Sequence, residues 1–475
     1  MGNNASDIPL YVDLDGTLIK SDLLLEGLFL LLRNNPLYLF KVLLWLLSGR
    51  SHLKSEVART ASINTALLPV NPEFLAFLQQ EKAKGRRIVL ISAANERAVA
   101  SVADHFALFD EHYGSNDATN LKAETKLKRI QAHIGQENFA YAGNSRADLP
   151  LWQAASEVIQ VNCPPSLTAT VEKIKPVRKF DRPGNELHLL WEALRPHQWI
   201  KNGLLFIPLI LAQKVNNLHL LQHAIVAFVC FSLAASSVYL LNDLLDLNSD
   251  RHHPSKKQRP LASGRLSLYT GLFAMPVILL AALILAHTQT FDFVRMLGIY
   301  WLLTIFYSFV LKRVLLLDLV TLSSLYCLRL ISGAAAVSVL VSPWLLAFSF
   351  SLFTGLAVVK RVTELINISS DSVFTLPGRA YTRKHLRMLT VLGIICCLLA
   401  VLVLGIYINA EEAAALYSSP MILWPICGLL FLVLFRLWNF AIDGRLQYDP
   451  ILFAIRDRPS QIATALMFVL LWMAI

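Results

Sequence analysis

Hydrophobic positions follow two regimes along this chain. Up to about residue 185 they come as short runs set in ordinary polar sequence; from residue 200 they form long runs separated by short polar loops. The long runs lie near 203–218, 221–242, 267–287, 294–311, 315–340, 343–366, 387–408, 420–438 and 460–475. Each approaches the roughly 20 residues a helix needs to cross bilayer hydrocarbon. They predict an all-α polytopic membrane domain of about nine transmembrane helices over 187–475, preceded by a separate domain over 1–180. In that first domain, strands near 8–13, 87–92, 138–142 and 158–161 alternate with helical segments, the pattern of a doubly wound α/β fold. Residues from about 20 to 72 read as a helical insertion. Within it LLLEGLFLLLRNNPLYLFKVLLWLLSGR (23–50) is unusually apolar and is broken at Asn34, Asn35 and Pro36. This predicts a helical hairpin lying on the membrane or against the second domain. The stretch 172–198 reads as a connection along the membrane surface.

Composition agrees: 55% of residues are hydrophobic and only 16% charged, too apolar for a soluble protein of this length. The net charge of +10 is not the footprint of nucleic-acid binding, because the cations concentrate in alternate loops. The second loop carries Arg251, Lys256, Lys257, Arg259 and Arg265, and the fourth Lys312 and Arg313. The sixth carries Lys360, Arg361, Arg379, Arg383, Lys384 and Arg387, and the eighth Arg436, Arg445, Arg456 and Arg458. Loop 409–419 has Glu411 and Glu412 instead. The positive-inside rule then makes the even loops and the N-terminal domain cytoplasmic, in a multi-pass protein of the bacterial inner membrane. The N-terminus lacks the basic segment and apolar core of a secretory signal. The six cysteines have no metal-like spacing and read as small buried hydrophobes.

The run 228–241 ends in NDLLDLNSDRHH (242–253), followed by the basic SKKQRPLASGR (255–265). Asp243, Asp246 and Asp250 are spaced to share one helix face. Carboxylates so placed at a low-dielectric boundary need cations, either as a solvated cap with Arg251, Lys256 or Lys257, or as Mg²⁺ carrying a diphosphate whose remaining charge meets Lys256, Lys257 and Arg259. NDLLDLNSDRHHPSKKQRPLASG resembles the first signature of the UbiA membrane prenyltransferases. The family's second signature is normally acidic; here LAVVKRVTELINISSD (356–371) offers Lys360, Arg361 and Glu364. That departure resembles one branch, the decaprenyl-phosphate phosphoribosyltransferases, although Leu356 stands where the branch has Tyr. LRPHQWIKNGLLFIPL (194–209) and RLISGAA resemble it too, through Arg195, Gln198, Lys201, Asn202 and Arg329. The resemblance implies a Mg²⁺ site at Asp243, Asp246 and Asp250, with Asp243 and Asp246 serving catalysis. It implies substrate contacts from Arg195, Lys201, Asn202, Tyr239, Asn242, Lys257, Arg259, Arg329, Lys360, Arg361 and Glu364. The implied reaction moves phosphoribose from 5-phosphoribosyl 1-diphosphate (PRPP) to a polyprenyl phosphate. Aromatic prenyl transfer, and a lipid-binding protein with a degenerate N-terminal adaptor, remain alternatives here; a homo-oligomer is compatible with all three.

YVDLDGTL (11–18) follows a short apolar stretch, so Asp13 and Asp15 sit where a strand gives way to a loop. Phosphoester hydrolysis through a carboxylate nucleophile needs a cation against the phosphate charge and a nearby proton donor. RRIVLISAAN (86–95) ends a strand at Ser92, NLKAETKLKRI (120–130) offers Lys126 or Lys122, and FAYAGNSRADLPLW (139–152) carries Asn144 and Asp148. Together and in this order they resemble the signatures of the haloacid dehalogenase (HAD) phosphatases. The resemblance implies a Rossmann-like HAD domain with a helical cap. Asp13 would be the nucleophile and Asp15 the acid/base, with Thr17, Ser92 and Lys126 on the phosphate. Asp13, Asp15, Asn144 and Asp148 would surround Mg²⁺. Asn144 replaces the usual Asp and removes one charge.

Overall fold

The computed structural model describes residues 8–116, 119–135, 137–181, 184–367, 380–446 and 450–474. Arg379 and residues 1–7 lie outside the described residues. The backbone groups into two compact units, Met1–Pro196 with Tyr239–Val277, and His197–Val238 with Ile278–Ile475.

The first unit is organised by a parallel sheet of β1 (Leu10–Val12), β2 (Ile88–Asn95), β3 (Glu111–Ser115), β4 (Ala140–Gly143), β5 (Glu157–Val161) and β6 (Val177–Phe180), in the order β3-β2-β1-β4-β5-β6. Parallel strands are covered on both faces, so the central ones read as unbroken apolar runs. Leu10, Val12, Ile88 and Leu90 pack on one face with Phe74 and Phe77; Tyr11, Val89 and Ile91 pack on the other with Trp152. The strand order reverses between β1 and β4, the switch point at which open α/β sheets bind ligands beyond the strands' carboxyl ends. Asp13 follows β1 and Asn144 follows β4. The polar edge strands β3 and β6 have no apolar run to announce them. β6 falls within 172–198, so part of that stretch completes the sheet and is not a surface connection.

The insertion folds as α1 (Leu23–Asn34), α2 (Tyr38–Leu47) and α3 (Arg50–Thr60). Asp22 caps α1 by accepting from the Leu25 amide at 2.9 Å. Leu31 of α1 packs with Leu53 and Val57 of α3. α2 buries none of its residues, and Phe40 and Leu47 are 66% and 84% exposed. The expected helical hairpin is present, with its second arm apolar and outward-facing.

Among the described residues, six helices are long and apolar enough to cross a membrane: Leu218–Leu245, Leu268–Ala286, Leu317–Ala336, Pro343–Ile366, Arg383–Ile408 and Pro420–Ile442. Three other expected spans take different forms. The first becomes a 3-10 segment, Pro196–Phe206, and a short helix, Ile207–Leu211, with Pro208 in the first turn of that helix. The helix Phe291–Phe309 carries Asp292 and Arg295, and the helix Arg458–Ala474 has 17 residues. All six cysteines are free, and each is buried or half-buried.

Candidate functional sites

At the switch point, the Asp13 amide donates to Ala142 O at 2.9 Å, locking the residue between β1 and β4. Lys126 Nζ donates to Asp13 Oδ1 at 2.7 Å and to the Tyr141 hydroxyl at 3.0 Å, and that hydroxyl donates to Asp148 Oδ1 at 2.7 Å. Lys126 is buried and Lys122 exposed, which decides between them for contact with Asp13. Asp148 Oδ2 accepts from the amides of Asn144 and Ser145 at 3.2 and 3.0 Å and from Ser145 Oγ at 3.0 Å, so Asp148 holds the Asn144 loop. Asn144 lies over Gly16, whose φ is +77°; a Cβ there would lie 2.0 Å from Asn144 Nδ2. Asp15 Oδ1 accepts from the Leu23 amide at 2.9 Å, at the start of α1. Ser92 Oγ is buried and accepts from the Ala94 amide at 3.0 Å. Thr17 is fully buried, and its hydroxyl meets no hydrogen-bonding protein atom among the described residues. Tyr141, which links Lys126 to Asp148, carried no sequence signal: it reads as one more strand hydrophobe.

Burial pushes the Asp13 carboxyl up to about 6, against the pull of Lys126. Asp15 stands well above the carboxylate range, because it is enclosed by protein and lies close to Asp22. Burial opposes the Lys126 charge, yet Asp13 and Asp148 hold that amine above its ordinary value. The site thus confines more negative charge than Lys126 offsets. Among the described residues no three carboxylate, imidazole or thiol side chains converge as a ready-made metal cluster. Two carboxylates and an amide oxygen nevertheless make an oxygen-only donor set that suits Mg²⁺. Asp13, Asp15 and Asn144 would hold the ion, which would neutralise phosphate charge.

A stability prediction follows. A carboxyl lifted from 3.8 to about 6 in the folded state binds its proton more tightly there than when unfolded. Stability therefore falls as pH rises through that window, by up to about 3 kcal/mol for a full shift. Hydrogen exchange in EDTA should show β1 and β4 less protected at pH 7.5 than at pH 5. Added Mg²⁺ should restore protection chiefly at the higher pH.

A cavity of about 240 Å³ opens beside Asp15, Gly16 and Asn144. Its wall includes Asp22 and Asn162, and also Ser267, Leu268 and Tyr269, where the apolar helix Leu268–Ala286 begins. The Tyr269 hydroxyl donates to Asp22 Oδ2 at 2.9 Å.

The same unit contains the aspartate motif. The three aspartates do not lie on one continuous helix: Leu218–Leu245 ends, Asp246 adopts φ −97° and ψ 12°, and a short helix runs Leu247–His252. They are drawn together by arginines instead. Asp243 pairs with Arg195 and, at 3.2 Å, with Arg259, which also pairs with Asp250. Asp246 lies 2.9 Å from Arg33 of α1. The Arg195 guanidinium stacks 5.3 Å from the Tyr239 ring centre. Burial pushes the Asp250 carboxyl up, against Arg259. Arg251, expected as a counterion, pairs with Glu26. Lys257 is exposed and Asn242 half-buried. The carboxylates Asp243, Asp246 and Asp250 suit Mg²⁺, and the guanidinia beside them suit the oxygens of a diphosphate.

In the second unit, Asn202 Oδ1 accepts from Arg329 Nε at 2.9 Å, and Asn202 Nδ2 donates to Ser232 Oγ at 3.0 Å. Arg329 also donates to the Tyr300 hydroxyl at 3.0 Å. Lys201 and Lys360 are half-buried. Lys360 and Arg361 belong to the helix Pro343–Ile366 and not to the loop after it. Glu364 pairs with Arg361 at 2.7 Å. Arg361 Nε donates to Asp318 Oδ2 at 2.7 Å, and the Tyr307 hydroxyl donates to Asp318 Oδ1 at 2.8 Å. Asp318 was missed in the sequence, although an acid inside the run 315–340 is itself a signal of buried pairing or function.

Residues 204–447 match the model of the UbiA prenyltransferase family. The chain belongs to that family. Residues 10–153 match the haloacid dehalogenase-like hydrolases. The chain is accordingly a multi-pass membrane enzyme of the UbiA family with a HAD-like hydrolase domain at its N-terminus. It is 33% identical over 471 residues to the protein y4nM of Sinorhizobium fredii, an alignment that covers 97% of this chain and 89% of that one. It is 30% identical over 289 residues to the decaprenyl-phosphate phosphoribosyltransferase of Mycobacterium tuberculosis, covering 59% of this chain and 92% of the relative. A UbiA homologue from Archaeoglobus fulgidus, solved with GPP and Mg²⁺, superposes with a TM-score of 0.44 at 15% identity, covering 59% of this chain and 99% of that one.

Proposed function

We propose that this chain transfers 5-phosphoribose from PRPP to a polyprenyl phosphate, and that its HAD domain then removes the 5-phosphate from the lipid-linked product. The observation that carries the proposal is the first unit's composition. It holds the aspartate–arginine cluster, and it holds a cavity lined by Asp15, Gly16 and Asn144 and walled by the first residues of an apolar helix. The named activity of the mycobacterial relative adds support.

In the transfer step the bond between ribose C1 and the diphosphate oxygen breaks, and pyrophosphate leaves with the electron pair. A lipid-phosphate oxygen forms the new bond to C1; it is already ionised, so no general base is needed. Mg²⁺ held by Asp243, Asp246 and Asp250 would stabilise the leaving diphosphate. Arg195 and Arg259 orient the diphosphate. We assign Lys201, Arg329 and Lys360 to the lipid phosphate. In the hydrolytic step Asp13 Oδ attacks phosphorus, and Asp15, as the acid/base, gives a proton to the departing O5′. Asp15 then takes a proton from water, which attacks the aspartyl phosphate and releases inorganic phosphate.

The boundaries 1–180 and 187–475 divide these activities. The segments Pro196–Leu211, Phe291–Phe309 and Arg458–Ala474 would complete nine spans. The basic loops favour a cytoplasmic N-terminal domain at the bacterial inner membrane. The outward apolar face of α2 would rest in the membrane interface. The transferase half is tested by incubating the purified chain with Mg²⁺, PRPP and polyprenyl phosphate. Pyrophosphate release should require the lipid and should fall on the order of 10³-fold in Asp243→Asn. Release from prenyl diphosphate and an aromatic acid in place of those substrates would refute it.

A further inference from the structure

We propose that Arg33, on the first helix of the HAD-like domain, is an anion-binding and positioning residue of the aspartate–arginine site; this rests on the diphosphate reading above. Asp243 and Asp250 pair with Arg195 and Arg259, Asp246 lies 2.9 Å from Arg33, and the charge of Lys256 also acts on Asp250. Arg259 comes from the basic stretch after the motif and Arg195 from the C-terminal cap of the helix Glu186–Leu194, while Arg33 comes from α1. A cation entering the site draws the carboxylates off their guanidinia, and an entering diphosphate gives the guanidinia new oxygens to bind. Arg33 is built for this exchange. Its side chain is 18% exposed and sits in the last turn of α1.

α1 itself is anchored. Glu26 lies two turns before Arg33 on the same face and forms a forked, buried ion pair with Arg251. Arg251 Nε also donates to Ala262 O at 2.9 Å, fixing the RPLASG loop. In that loop Gly264, at φ +70°, lies against Lys20 and Pro69 of the HAD-like domain, where a Cβ would come within 2.7 Å of Lys20 Cβ. Ser21 Oγ donates to Glu26, so the wall of the hydrolytic cavity and the anchor of α1 share one chain of hydrogen bonds. Burial of the Glu26–Arg251 pair makes it costly to break. It sets where Arg33 sits, and Arg33 supplies the charge.

The test separates charge from scaffold. Removing Arg33 makes the cluster one charge more negative, which favours a bare cation and disfavours an anion. Full-length protein in detergent is titrated calorimetrically with Mg²⁺ alone, then with pyrophosphate at saturating Mg²⁺. Heat lost in Asp243→Asn is assigned to this site. Arg33→Ala should weaken pyrophosphate about 10-fold. It should leave Mg²⁺ affinity unchanged or higher, and Arg33→Lys should recover part of the loss. Unchanged pyrophosphate affinity in Arg33→Ala overturns the proposal alone. So does a parallel fall in Mg²⁺ and pyrophosphate binding with a lowered Tm, which marks a purely structural role. No Asp243-dependent pyrophosphate binding in the wild-type chain overturns both this proposal and the diphosphate reading.

Discussion

Asp13→Asn should abolish phosphoester hydrolysis, by on the order of 10⁴-fold or more, while leaving the chain folded. The amide matches the carboxylate in shape but cannot attack phosphorus. Asp13 is buried between β1 and β4, and Lys126 donates to it at 2.7 Å, so no second carboxylate can take its place without moving strands. Folding should not suffer, because the buried carboxyl already resists ionisation and Asn mimics its neutral form. Release of phosphate from a small phosphate ester measures the activity, and the melting temperature measures the fold. Retained hydrolysis would remove Asp13 from the mechanism.

Asp318→Ala should destabilise the membrane domain by about 3–5 kcal/mol, enough to lose the protein on extraction. The Asp318 and Arg361 side chains are 0% and 1% exposed, so removing the acid leaves a buried guanidinium with its Nε partner gone and only the half-exposed Glu364 carboxylate beside it. The Tyr307 hydroxyl loses its acceptor at the same time. Replacing both charged residues with leucine should recover much of the loss, because an apolar pair leaves no buried charge. Denaturant unfolding in detergent of the single and double variants is the measurement. An Asp318→Ala chain as stable as wild type would show that the pair with Glu364 alone satisfies Arg361.

What could be read from the sequence divides along physical lines. Asp13 and Asn144 were legible because strand ends at a sheet's switch point are local features, set by short apolar runs and the polar residues after them, whereas Ser92, expected to end a strand, lies inside β2 (Ile88–Asn95). The aspartate motif was legible as chemistry but not as geometry. Its spacing suggested one helix face, whereas the backbone breaks at Asp246 and Arg259 gathers Asp243 with Asp250. Arg33 and Glu26 were invisible as site residues. Their partners lie more than 200 positions away, and within α1 they look like ordinary solvated charges. The strands β3 and β6 were missed because an edge strand need not be apolar. Among the described residues six of the nine long runs form helices long and apolar enough to span, and the first does not because apolarity marks a segment without distinguishing a continuous helix from one broken near Pro208.

The central claim, that one chain attaches phosphoribose to a lipid and then trims it, is tested most directly by the mass of the lipid product. Wild-type and Asp13→Asn protein are each given Mg²⁺, PRPP and polyprenyl phosphate. The account predicts ribosylated lipid lacking the 5-phosphate from the wild type, and the same lipid still carrying that phosphate from Asp13→Asn. Identical products from the two proteins, or no ribosylated lipid from either, would contradict it.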